Sequence, residues 1–99
     1  MKKYLIEVPH DNHKVECARA VKIFLTTGSH FLRNADWGCY DGDHTAYMLL
    51  TLDNKDEALQ IVPPAYRSQA RIVELSQMSL GEMEEILREH ELTQESGFY

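Results

Sequence analysis

A chain of 99 residues has room for one domain and one modest core, because small domains bury a smaller share of their unfolded surface than large ones. With 43% apolar and 26% charged residues, its composition is that of a folded globular protein and excludes a disordered or fibrous one. The net charge of −6 arises in the C-terminal half, since residues 1–50 hold six basic and six acidic groups and residues 51–99 four and ten; no Lys/Arg cluster forms a phosphate footprint, which argues against nucleic acid and anionic membrane as partners.

The opening "MKKYLIEVPHDNHK" has two lysines and a short apolar run that Glu7 interrupts, a pattern of neither a signal peptide nor a membrane span, so a cytoplasmic protein is expected. Cys17 and Cys39 are the only cysteines, and with no second pair they are expected to stay thiols. Residues 2–8, "KKYLIEV", are β-rich and stopped by Pro9, which predicts a first strand with Tyr4, Ile6 and Val8 on one face. From Asp11 to Thr27 the period becomes helical. Cys17, Ala18, Val21, Phe24 and Leu25 gather on the expected inner side, with Asp11 as cap and Gly28 as stop.

Residues 30–38, "HFLRNADWG", and 45–52, "TAYMLLTL", read as two strands joined by a hairpin at Asp41-Gly42-Asp43. The second of these is apolar on both faces and should be central. Asn54 and Glu57 fit a capping box opening a short helix through Ile61, ended by Pro63-Pro64. Residues 69–75, "QARIVEL", predict a fourth strand. Ser79 and Glu82 form another capping box, with Met78 and Met83 as its hydrophobic staple, for a last helix to about His90. This makes residues 1–90 a single domain and 91–99 a flexible tail.

The order strand, helix, strand, strand, helix, strand predicts an α+β fold of the ferredoxin-like βαββαβ kind, an antiparallel sheet with helices on one face and an added C-terminal helix. The other face, lined by Leu5, Tyr47, Leu49 and Val73 among Lys3, Glu7 and Arg71, is too apolar to be left bare, so a second subunit is expected to cover it. Through this element order, "YLIEV" and "IVPPAYRSQARIVEL", residues 2–76 resemble small uncharacterised members of the ferredoxin-like dimeric α/β-barrel superfamily. The resemblance implies a homodimer whose sheets face each other around a ligand cavity. It transfers no catalytic residue.

The stretch "DWGCYDGDHTAY", residues 36–47, concentrates groups that carry chemistry. The expected topology brings His10, just past strand one, towards Cys39, Asp41, Asp43 and His44. His10, His44, Cys39 and Asp41 are therefore the candidate ligands of a divalent transition metal, zinc or nickel, with His13 able to join from the first helical turn and His30 placed too far away. A second reading makes Asp41 and Asp43 turn formers, His10 a strand-end residue and Cys39 a half-buried apolar group. Cys17 reads as a packed core thiol, slower to react than Cys39. Trp37 either walls a cavity or plugs the barrel end, and with Tyr47, Glu7 and Arg71 it makes up the candidate small-molecule site. Tyr66 and Arg67 read as anchors of the loop into strand four.

No Gly-rich phosphate loop is present, so no nucleotide cofactor is expected. Three function classes follow. One is a small dimeric binding protein with a ligand or metal between the open sheet face and the 36–47 hairpin. Another is a cofactor-independent isomerase or monooxygenase-like enzyme using His10 or His44 as general base. The third is an interaction protein with no chemical site.

Overall fold

The structure, a computed structural model, describes residues 1–93. Four strands, β1 (Lys2–Pro9), β2 (Asp36–Trp37), β3 (Thr45–Leu52) and β4 (Arg71–Leu75), form one antiparallel sheet in the order β2-β3-β1-β4. The helices are α1 (Lys14–Thr26), α2 (His30–Arg33), α3 (Lys55–Ile61) and α4 (Leu80–Thr93). The protein is thus α+β, and none of its described helices is long and apolar enough to cross a membrane.

Alternation along β1 separates the two faces of the sheet. Tyr4, Ile6 and Val8 are all but fully buried and meet Ala46, Met48 and Leu52 of β3 in one core with Ala20 and Phe24 of α1, Leu32, Ala58 and Val62. Their neighbours Lys3, Leu5 and Glu7 point the other way, level with Thr51, Leu49 and Tyr47 on β3 and Leu75, Val73 and Arg71 on β4. No described element covers this second face: Leu49 is 60% exposed, and Leu5, Tyr47 and Val73 are half-buried.

Several elements depart from the sequence reading. The expected strand over 30–38 is instead helix α2 followed by the two residues of β2. Gly28 turns the chain at φ 83°, Ser29 Oγ accepts from the Leu32 amide, and burial of Leu32 holds the turn against the core, so local capping and one core contact override the strand-like pattern. Helix α1 starts at Lys14, capped by His13 rather than Asp11: the His13 Nδ1 accepts from the Val15 amide at 3.1 Å. Its inner face is Ala20 and Phe24, while Cys17 and Val21 are half-buried and Ala18 and Leu25 exposed. The hairpin between β2 and β3 is a tight 3-10 turn over Cys39–Asp41 closed by Gly42 at φ 84°.

The capping at Asn54 is as expected, with the Glu57 amide donating to Asn54 Oδ1 at 2.8 Å. β4 starts at Arg71, after a 3-10 segment over Pro64–Gln69. There Tyr66 is buried beside Phe24, and Arg67 donates to the carbonyls of Val62 and Gln60, so the pair anchors the loop. Ser79 Oγ caps α4, which continues beyond His90 to Thr93; the rest of the expected tail, 94–99, lies outside the described residues. Leu80 and Leu87 are exposed on α4, and Met83 is half-buried.

Candidate metal centre

The site begins with a rung of the β1–β3 ladder. One residue past Pro9, which pairs with Thr45, the His10 amide donates to the His44 carbonyl at 2.9 Å. Both imidazoles are thereby brought to one end of the two central strands, their rings edge-on at a centroid distance of 5.5 Å. Across the hairpin, the Gly38 amide donates to the Thr45 carbonyl at 3.0 Å, and the Gly38 carbonyl accepts from the amides of Asp41 and Asp43. A Cβ at Gly38 would lie 2.7 Å from the Asp43 carbonyl oxygen, so a side chain there would force the turn open. This close approach delivers Cys39 to the histidines: its Sγ lies 3.5 Å from His10 Nε2.

The fourth member comes from α1. Its cap at His13 places Cys17, whose amide donates to the His13 carbonyl at 2.8 Å, in the first turns beside the end of β1. One ligand atom each from His10, Cys17, Cys39 and His44 lies within 4.8 Å of all the others. Around tetrahedral zinc, N and S ligand atoms stand about 3.3–3.8 Å apart, so small side-chain rotations suffice to close the set. Two buried atoms in this cluster, His10 Nδ1 and His44 Nδ1, have no hydrogen-bond partner. Buried polar atoms are normally paired, so each imidazole keeps one ring nitrogen that no protein group satisfies, while the other nitrogen of His10, Nε2, faces Cys39.

Burial is the leading influence on the ionisable groups of the cluster. Burial first, and then the neighbouring His44, holds His10 below its usual imidazole value, against the opposing pull of Asp11 and Glu16. The Cys39 thiol is pushed up to about 11, chiefly by burial and next by its hydrogen bond with Cys17. A cation entering the cluster would reverse that preference and favour both thiolates. Trp37 backs the site from the core, its ring 5.8 Å from His10 and 4.9 Å from Phe24.

Of the metal ligands read from the sequence, His10, Cys39 and His44 converge and Asp41 does not; it is exposed on the turn and stands outside the cluster. Asp43 is engaged elsewhere. Its carboxylate accepts from the hydroxyls of Tyr47 and Thr45, which lowers its own pKa and raises that of Tyr47. His13 is committed to capping, and His30 lies on α2 against Asn34 and Phe31. Cys17, read as a core thiol, is instead half-buried in the cluster. The expected inner face of α1 is right at Phe24, but the helix buries Ala20 and leaves Cys17 at its margin, where the thiol meets the cluster.

The candidate small-molecule residues separate. Glu7, Tyr47 and Arg71 lie on the open sheet face, with Arg71 3.3 Å from Glu7, and line a hollow of about 260 Å³ with Pro9, Thr45 and Gln69. Trp37 pairs with Ala46 on the opposite, core-facing side. A larger, mostly apolar groove of about 780 Å³ runs along α1 past Ala18, Val21 and Leu25, between Lys14 and Lys22, and reaches Cys17, Cys39 and His44. No family model matches the chain, and no match was found among curated proteins or solved structures.

Proposed function

We propose that this is a metal-binding protein in which His10, Cys17, Cys39 and His44 hold one zinc ion. The observation that carries this reading is the convergence of two imidazoles and two thiols, from three separate segments, with both buried Nδ1 atoms unpartnered. Two nitrogens and two sulfurs suit tetrahedral zinc better than nickel, which in N/O sites favours tetragonal geometry. A complete set of four protein ligands leaves no open coordination position, so the ion is held and not used as a Lewis acid on substrate.

The assembly belongs to the same proposal. The strand order β2-β3-β1-β4 and a half-apolar sheet face with no cover support a ferredoxin-like protomer that pairs through that face as a homodimeric barrel. A second reading, small-molecule binding, draws on the groove along α1, whose volume and apolar lining fall in the range of ligand pockets.

The deciding experiment is metal analysis of protein purified under reducing conditions without chelator. One zinc per chain is expected, falling to a small fraction in His10→Ala and Cys39→Ser. A metal-free protein that also fails to take up added zinc overturns the reading.

A further inference from the structure

The groove along α1 borders the cluster, and Cys17 and Cys39 both contribute to its wall, so small solutes entering it come up against the two cysteines. Both thiols are free, and neither is in a disulfide. Their donor atoms lie within the 4.8 Å cluster, although 22 positions separate them in the chain. Two thiols this close, reachable from solvent and held as thiolates by a bound cation, are poised for oxidation to a disulfide.

We propose that Cys17 and Cys39 form a redox pair, which a hydroperoxide closes into a disulfide with release of the metal. This rests on the zinc reading above and adds a control to that site. The chemistry balances in two steps. One metal-bound thiolate attacks the hydroperoxide, its S–O bond forms as the O–O bond breaks, and the departing alkoxide takes a proton to leave as the alcohol. The second sulfur then attacks the sulfenic sulfur, the S–S bond forms as S–O breaks, and hydroxide takes a second proton to leave as water. Two thiolates are oxidised by two electrons and the hydroperoxide is reduced by two. The cluster loses both anionic ligands together, and two imidazoles alone hold zinc weakly.

The test begins with zinc loading of reduced protein, which by itself decides the metal reading. The loaded protein is then treated with cumene hydroperoxide at pH 7, zinc release is followed with a chromophoric chelator, and peptides are mapped by mass spectrometry. The expected result is one zinc released per chain in step with a Cys17–Cys39 cross-linked peptide, reversed by a dithiol reductant and zinc. Cys17→Ser should form no such peptide. Retention of zinc, or separate sulfinic acids on the two cysteines without a cross-link, overturns the redox proposal while leaving the metal site standing. If zinc does not load, oxidised glutathione is applied to the metal-free chain at pH 9; a cross-linked peptide supports the pair, and two separate glutathione adducts overturn it.

Discussion

The amide of His10 hydrogen-bonds the carbonyl of His44 at 2.9 Å, so the bond just past the end of the β1–β3 ladder is also the scaffold of the imidazole pair. The geometry of the candidate centre is therefore inherited from strand register. A slip of one residue would send one ring to the opposite face of the sheet.

Added zinc should raise the melting temperature. At about a hundred times its dissociation constant an ion that binds only the folded state contributes roughly 2.7 kcal/mol. His10→Ala and His44→Ala should lose most of this gain and still fold, because both residues sit just beyond strand ends and outside the core cluster. Differential scanning fluorimetry with and without zinc is the check, and equal shifts in parent and variants would contradict it.

The pH dependence of the metal-free protein follows from His10. Its folded pKa is held below the ordinary imidazole value of 6.5, so between the two values the unfolded chain binds more protons than the folded one. Stability then rises with pH across that window and is flat above it as far as this group is concerned. Urea titrations at steps from pH 5 to 8 should show loss of stability as pH falls through 6.5, and His10→Gln should flatten that part of the curve. Zinc stabilisation should fade in the same acid range, where protons compete for the imidazoles.

Asp41→Ala should leave zinc affinity unchanged, since Asp41 lies outside the cluster. Gly38→Ala should do the opposite. Its new Cβ would meet the Asp43 carbonyl, shifting the turn that carries Cys39 and leads to His44, at a cost of roughly 1–3 kcal/mol of the kind seen for overpacking. Competitive zinc titration and chemical denaturation read both variants. A parental Gly38→Ala would show that the turn relaxes freely.

Alkylation should find Cys39 sluggish at pH 7, with its rate climbing towards a pKa of about 11. Cys17→Ala should lower that pKa but not restore it to 9.0, because burial outranks the Cys17 hydrogen bond among its causes. Rates of iodoacetamide labelling, resolved by peptide mass, test the ranking.

Leu49→Glu should convert a dimer to monomers without harming the fold. Leu49 is 60% exposed at the centre of the uncovered sheet face, level with Leu5. Light scattering of parent and variant at micromolar concentration is decisive, and a monomeric parent would remove the face from consideration as an interface.

Local patterns determined much of this protein. Alternation in residues 2–8 and 45–52, the capping residues Asn54 and Ser79 and the stop at Gly28 act within a few positions, and each produces the element its neighbours dictate. His10, Cys39 and His44 were legible as a group because strand order alone brings the end of β1 to the hairpin. What only the tertiary structure decided is where ambiguous segments spend their side chains. Residues 30–33 become helix because Leu32 is buried in the core, a contact no local period encodes. Cys17 joins the cluster, and Asp41 leaves it, because a helix can be rotated and a turn re-aimed by packing against residues distant in sequence. A ligand set assembled from three segments is a property of those long-range contacts.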